Sequence, residues 1–78
     1  MLKLKLFPTL VKLSATKLPE FGMPWEPGMR VIDVINREGF RGDEADVIAA
    51  IVNGEQADPE QLLSDGDHVE LIVAIAGG

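Results

Sequence analysis

The chain begins with apolar and basic residues in strict alternation. Leucines occupy positions 2, 4 and 6, with Lys3 and Lys5 between them. A period of two residues predicts a half-buried β-strand over residues 2–7. Pro8 ends this strand because proline has no N–H to donate to a neighbouring strand. Residues 9–18 show no clear period and are predicted to form a turn or a short helix that leads into a loop.

The next part of the chain predicts one amphipathic helix. Prolines and glycines interrupt residues 19–28 and leave room only for a short edge strand at about residues 23–26. From Val31 to Glu38 the apolar positions follow a helical stripe, and Gly39 is placed to end the helix in a left-handed conformation. The helix is short and rich in β-branched residues, so packing rather than propensity must hold it.

Two strands are predicted in the second half of the chain. Six consecutive apolar residues at 47–52 indicate a central strand buried on both faces. Asn53-Gly54 after it is a strong hairpin signal. Asp58-Pro59 is expected to begin a turn that Leu62 and Leu63 anchor to the core.

The last predicted strand, at residues 68–75, has two different faces. One face is expected to point to the core and carries Val69, Leu71, Val73 and Ile75. The other carries His68, Glu70, Ile72 and Ala74. One helix against one mixed sheet is a two-layer α+β domain, and 78 residues are enough for a single core.

The composition excludes most kinds of catalytic site. The chain has no cysteine and a single histidine, His68, so we expect no disulfide, no thiolate nucleophile and no metal site. Ser64 and His68 could in principle form a nucleophile–base pair, but their spacing is not that of a catalytic triad. No stretch has the length of a membrane span or the unbroken apolar run of a secretory signal, so we expect a cytoplasmic protein with no membrane partner.

The charge is unevenly distributed. Residues 1–41 hold all seven basic residues and four acidic ones, for a net charge of +3, whereas residues 42–78 hold nine acids and no lysine or arginine. Nucleic acid is a poor partner for such a chain, because phosphate binding needs clustered basic residues. A protein with a basic surface is the better expectation, and an acidic surface that only maintains solubility is the alternative.

The chain ends in Ala76-Gly77-Gly78, directly after the last predicted strand. Two glycines make a thin tail that could enter a narrow tunnel in another enzyme. With residues 6–10, 28–35, 52–54 and 63–71, this ending resembles the ubiquitin-like sulfur-carrier family of the MoaD/ThiS type. That family includes the small subunit of molybdopterin synthase and the thiamin sulfur carrier.

The resemblance implies a β-grasp fold, with a mixed sheet of four to five strands packed on one main helix and an extended tail at residues 76–78. It also implies a sulfur carrier rather than an enzyme. Gly78 would be adenylated and then converted to a thiocarboxylate that donates sulfur in cofactor biosynthesis, as in the small subunit of molybdopterin synthase. Ala76 and Gly77 would thread the tail into partner enzymes, and the chain itself would supply no catalytic residue.

The implied partners are an adenylating, E1-like enzyme, a sulfur donor and a downstream synthase subunit. ATP and magnesium would be used by the adenylating enzyme, with no cofactor bound to the chain itself. Ile72 and Ala74, beside the tail on the face away from the core, form with Ile75 the expected partner interface.

Three other functions stay open. The chain could be a thiamin-type or general sulfur carrier, a protein modifier joined to lysine through Gly78, or a binding module in which the two glycines are incidental. The chain departs from the family pattern at two places, of which the first concerns stability and the second the pathway. Arg30 stands where the family commonly has a threonine that caps the helix, and an arginine cannot accept backbone N–H bonds. Residues 72–75 are aliphatic where the molybdopterin-synthase type often has aromatic residues and proline, which leaves the pathway open.

Overall fold

The computed structural model describes residues 1–74. Along them five strands and three short helices follow one another. The strands are Leu2–Leu6 (β1), Glu20–Met23 (β2), Ile48–Val52 (β3), Glu55–Ala57 (β4) and His68–Val73 (β5). The helices are Pro8–Val11 (α1), Val31–Arg37 (α2) and Asp43–Asp46 (α3). None of these helices is long and apolar enough to cross a membrane.

All five strands belong to one mixed sheet, in the order β2-β1-β5-β3-β4. β1 and β5 run parallel, and the other neighbouring pairs are antiparallel. The apolar side of α2 joins the inner face of the sheet in one hydrophobic core. The predicted α+β fold of the β-grasp type, with one main helix and up to five strands, is confirmed.

Strand alternation decides which side chains enter the core. β1 buries its leucines and exposes Lys3 and Lys5, as its period of two predicts. In β5, Val69 and Leu71 are buried and Val73 is half-buried, which confirms the inward set as far as the described residues extend. From α2, the core receives Val31, Val34 and Ile35.

Three predicted features are wrong in position or exposure. The edge strand is Glu20–Met23 rather than residues 23–26, because Pro24 cannot donate to the ladder and ends it. β3 is an interior strand, between β5 and β4, but it is not buried on both faces, since its outward residues are only half-buried. Leu63 is buried, but Leu62 is 58% exposed and does not anchor the turn to the core.

α2 begins without a side-chain cap at Arg30. Within residues 1–74, the Arg30 side chain makes no capping hydrogen bond, as its chemistry predicts. Asp33 partly replaces that cap, since its carboxylate accepts the Arg30 backbone N–H at 2.8 Å and places a negative charge in the first turn.

The other end of α2 confirms the prediction made from Gly39. This glycine has a φ of +93°, and its N–H donates to the carbonyl oxygen of Asn36. The N–H of the buried Phe40 donates to the carbonyl oxygen of Ile35. These two bonds form a Schellman motif, which satisfies two carbonyl groups that the helix itself leaves unpaired.

Glu38 is a buried acid that holds the loop after α1 against the end of α2. Its side chain is on the predicted inner stripe and the residue is 1% exposed. The carboxylate accepts hydrogen bonds from the hydroxyl and the N–H of Thr16, at 3.0 and 3.5 Å. The backbone carbonyl oxygen of Glu38 accepts a further hydrogen bond from the N–H of Ala15. A buried carboxyl group needs such partners, so this cluster fixes the position of the loop.

The hairpin at Asn53-Gly54 is tied to the turn that precedes β5. Both residues have positive φ, +52° and +87°, as a two-residue hairpin of this type requires. The Asn53 side chain donates to the carboxylate of Asp67 and accepts the N–H of His68, each at 2.9 Å. Two of the segments that carry the family resemblance therefore form a single hydrogen-bonded unit with a structural role.

Replacing Asn53 by alanine is expected to destabilise the domain by about 2–4 kcal/mol, since two hydrogen bonds and a favourable left-handed residue are lost. The matched variant Asn53→Gly loses the same bonds but keeps the backbone conformation, so it should be about 1 kcal/mol more stable than the alanine variant. Urea unfolding gives both values, and equal midpoints for the two variants would contradict a contribution from the left-handed backbone.

Candidate functional site

The residue with the central predicted role, Gly78, lies outside the described residues. So do the predicted threading residues Ala76 and Gly77 and the predicted interface residue Ile75. Their roles stay predictions. The structure describes the strand that leads to them, together with the surfaces on both sides of that strand.

β5 is hydrogen-bonded to β1 as far as Leu71 and to β3 as far as Val73. It lies between β1 and β3, with Leu71 beside Leu6 and Val73 opposite Ile48. After the strand, the N–H of Ala74 donates to the carbonyl oxygen of Val47 at 2.7 Å. The backbone is therefore fixed within the sheet as far as Ala74, four residues before Gly78. We use the name exit edge for the side of the sheet at which β5 ends, near Ala74.

The two predicted interface residues that the structure describes, Ile72 and Ala74, lie on the outer face of the sheet, as expected from the alternation of the strand. Ile72 is half-buried and paired with Ala49 of β3, and Ala74 is exposed. Together with Ile51 they line a shallow depression of about 340 Å³ between β3, β5 and the start of β4. An uncovered apolar surface beside the exit edge is suited to protein contact.

Several members of this apolar surface are not predicted from the sequence. Ala49 and Ile51 belong to the run that the sequence places inside the core, and only the register with β5 shows that they face outwards. Val47, 49% exposed, lies at the exit edge through its bond to Ala74. Phe7 could have been assigned to this surface from the sequence, since the strict alternation of the first strand places it on the same face as the lysines.

Phe7 extends the apolar surface across β1. Its N–H donates to the carbonyl oxygen of Leu71 at 2.9 Å, which continues the β1–β5 register and places Phe7 beside Ile72. Phe7 is 45% exposed. We call the outer-face group of Ala49, Ile51, Ile72 and Ala74, together with the exposed Phe7 and Val47 next to it, the apolar face.

The outer face becomes charged away from the exit edge. Lys3, Lys5, His68 and Glu70 line a second open depression, of about 400 Å³, on the same face. The register places Lys5 between Glu20 and Glu70 on the two neighbouring strands. The sheet therefore presents an apolar end at the exit edge and a mixed-charge end at the start of β5.

The described residues contain no assembled catalytic group. Ser64 and His68 make no hydrogen bond to each other within residues 1–74, and the Ser64 N–H instead donates to Asp67. No group of three or more histidine, cysteine or acidic residues in this part of the chain could hold a metal ion.

Comparisons with known proteins agree with this fold and with the family resemblance. The model of the ThiS family matches residues 10–78. Among solved structures, SAMP1 from Haloferax volcanii is similar over 99% of this chain and 98% of its own, with a TM-score of 0.72 and 21% identity.

A second solved structure comes from Pyrococcus furiosus and bears the description molybdopterin converting factor, subunit 1. It is similar over 95% of this chain and 97% of its own, with a TM-score of 0.70 and 23% identity. At these identities the two structures show the shared fold. Because the family model covers most of the chain, this protein belongs to the ThiS family of ubiquitin-like sulfur carriers.

Proposed function

We propose that this chain is a sulfur carrier whose working form ends at Gly78 and carries sulfur there as a thiocarboxylate. The destination of the sulfur is cofactor biosynthesis, with the chain acting as the small subunit of a molybdopterin-type synthase. The observation that supports this most directly is the match to the ThiS family, which runs through the two glycines to residue 78.

A carboxylate must be activated before sulfur can replace one of its oxygens. The Gly78 carboxylate would attack the α-phosphorus of ATP in an adenylating enzyme that holds magnesium, which releases pyrophosphate and leaves an acyl-adenylate. The terminal sulfur of a persulfide would then attack the acyl carbon and expel AMP. A thiol would cleave the resulting acyl disulfide, so that Gly78 keeps the sulfur as a thiocarboxylate and the two thiol-derived sulfurs form a disulfide.

The part played by this chain in those steps is docking and positioning. β5 is held on both sides by β1 and β3, which gives the tail a rigid base. The apolar face lies beside that base and offers a surface that a partner can cover. A fixed base and a docked face reduce the freedom that the tail loses on entering a tunnel, and such preorganisation strengthens binding.

The same fold and tail also suit a protein modifier, in which a lysine amine would attack activated Gly78 and form an isopeptide bond. A carrier for thiamin-type synthesis, or a general sulfur donor, would use the same thiocarboxylate. Activation of Gly78 is common to these functions, which differ in the nucleophile and in the acceptor.

Intact-mass measurement tests the proposal directly. The chain is incubated with an adenylating enzyme of this type, magnesium, ATP and a persulfide donor with a thiol. The expected result is a mass increase equal to the difference between a sulfur and an oxygen atom, located at Gly78 by fragmentation. A chain that is adenylated but gains only a lysine-linked protein would favour the modifier, and a chain that is never adenylated would contradict both.

A further inference from the structure

The turn at Asn53-Gly54 brings together the two residues that most favour loss of an asparagine side-chain amide. In that reaction the backbone nitrogen of the following residue attacks the side-chain carbonyl carbon, and glycine has no Cβ to hinder the attack. Asn53 and Gly54 are both exposed, and the Gly54 N–H donates no hydrogen bond within residues 1–74. The Gly54 nitrogen is therefore open to solvent, which must remove its proton.

The backbone of the folded turn opposes this attack. Asn53 has a φ of +52°, in the left-handed region, where ψ is about +47°. With tetrahedral geometry at Cα, that ψ places the Asn53 Cβ on the far side of the Cα–C bond from the Gly54 nitrogen. A five-membered ring needs these two atoms on the same side. The ring therefore cannot close until residue 53 leaves the left-handed conformation.

The side chain of Asn53 is held in place as well. Its amide nitrogen donates to the Asp67 carboxylate and its amide oxygen accepts the His68 N–H, each at 2.9 Å. The Asn53 N–H donates to the carbonyl oxygen of His68 at 2.8 Å. Rotation of the side chain towards Gly54 breaks the two side-chain bonds. The contacts that join this turn to the start of β5 thus keep the reactive groups apart.

The other asparagine of the chain provides an internal comparison. Asn36 lies within α2 and is followed by Arg37. The Arg37 side chain hinders approach to its own backbone nitrogen, as any Cβ does and as glycine does not. Between the two asparagines, the sequence alone therefore favours reaction at Asn53, and the fold decides when that reaction occurs.

The reaction needs only water. The Gly54 nitrogen loses its proton to solvent and bonds to Cγ of Asn53, while the bond from Cγ to Nδ2 breaks and Nδ2 leaves as ammonia. Water then opens the cyclic imide at one of its two carbonyl carbons and restores a peptide bond. The products are aspartate and iso-aspartate, in which the backbone runs through Cβ and is longer by one carbon atom.

Either product disrupts the contacts of the turn. Aspartate at position 53 places a second carboxylate where the Asn53 amide now lies 2.9 Å from Asp67, so a hydrogen bond is replaced by repulsion. Iso-aspartate lengthens a turn of two residues whose length sets the pairing of β3 with β4. Because ammonia is lost to solvent, neither change reverses.

We infer that Asn53 is a site of spontaneous deamidation, which is blocked while the turn is folded, proceeds when the turn opens, and leaves the domain less stable. The inference does not depend on the proposed function. Asn53 follows the last residue of β3, whereas the first residue of β3, Ile48, lies opposite Val73 near the exit edge. A deamidated chain that is still folded therefore keeps its apolar face.

The first test follows the original chain at mildly alkaline pH, in native buffer and in concentrated urea. Intact mass measures the replacement of NH₂ by OH, and peptide mapping assigns it to a residue and separates aspartate from iso-aspartate. The rate at Asn53 should be at least about 100-fold lower in native buffer than in urea. In urea, Asn53 should react on the order of tenfold faster than Asn36.

The second test compares two destabilised variants in native buffer. Asp67→Ala removes the acceptor of the Asn53 amide and should raise the deamidation rate about tenfold, because the turn opens more often. Val34→Ala is the matched control, since it removes buried volume from α2 and leaves the turn intact. Its urea midpoint should fall as well, but its deamidation rate should stay within about threefold of the original.

Equal rates in native buffer and in urea would overturn the inference, and so would faster reaction at Asn36 than at Asn53; both measurements use the original chain and need no variant to fold. Equal or greater acceleration by Val34→Ala would show that global unfolding, rather than opening of the turn, exposes the site. The deamidated chain, once purified, should unfold at a lower urea concentration than the original. An unchanged midpoint would contradict the loss of stability.

Discussion

A chain shortened by Gly78, or extended by one alanine after it, is expected to lose sulfur loading by at least about 100-fold. One residue moves the terminal carboxylate by about 3.5 Å, and misplacement of a reacting group by as little as 1 Å can cost about that factor in rate. The measurement is intact mass after a fixed time with adenylating enzyme, ATP and sulfur donor. Both variants should unfold at the same denaturant concentration as the original chain, since the buried core of residues 1–74 runs from Leu2 to Leu71 and neither variant changes it.

Gly78→Ala is the matched control for this pair. It keeps the carboxylate in position and adds only a methyl group, so it should load more slowly than the original chain but far faster than either length variant. This comparison distinguishes the effect on loading of moving the carboxylate from the effect of a narrow tunnel in the adenylating enzyme. Undiminished loading of the alanine-extended chain at its new terminus would contradict the proposal that Gly78 is the reacting residue.

The sequence predicts those elements whose pattern is set by one buried face. The alternation of β1 and β5 predicts which of their side chains are buried, because a one-residue shift would move every leucine and valine to solvent. The end of α2 is predicted at Gly39 for a similarly local reason, since a left-handed residue is needed there. In these segments local pattern and tertiary packing agree.

Elements that form only through contact with other parts of the chain are harder to predict from the sequence. β4 is three residues long and largely polar, so it exists only because the Asn53-Gly54 turn folds it against β3. α3 has four residues, too few for a periodic pattern, and is not predicted at all. The apolar run of β3 is consistent with burial on both faces or with one buried face and one docking face, and the sequence cannot distinguish them.

Only part of the candidate site is predicted from the sequence, because the rest of it also depends on which strands lie side by side. Ile72 and Ala74 are found by alternation along a single strand, which requires no knowledge of the strands beside it. Val47, Ala49 and Phe7 join them only through pairing across strands, with sequence separations of more than 20 residues. Charge is a further case, because the acidic half of the sequence folds onto both ends of the sheet, with α3 at the exit edge and Asp65 and Asp67 before the start of β5.

Two neighbouring residues of β5 are expected to respond in opposite ways to substitution. Leu71 is 0% exposed in the centre of the core, so Leu71→Ala should destabilise the domain by about 2–5 kcal/mol, a large part of the stability of a small domain. Ile72 is on the apolar face and half-buried, so Ile72→Glu should cost about 1 kcal/mol or less.

The two substitutions should affect partner binding in the opposite order to their effects on stability. Ile72→Glu places a charge in a surface that the partner must desolvate, so the dissociation constant should rise about 10- to 100-fold. His68→Glu is the matched control, because it adds the same charge to the same face of the same strand, at the end away from the exit edge. Its dissociation constant should stay close to that of the original chain.

The two measurements for each variant are a urea midpoint and a dissociation constant for the adenylating enzyme, the latter at a temperature where Leu71→Ala remains folded. Under those conditions Leu71→Ala should bind nearly normally, because the Leu71 side chain lies in the core and not on the apolar face. If Ile72→Glu unfolds the domain as strongly as Leu71→Ala, the apolar face is part of the core and cannot be a docking surface. If His68→Glu weakens binding as much as Ile72→Glu, the partner covers the whole outer face and the exit edge has no special role.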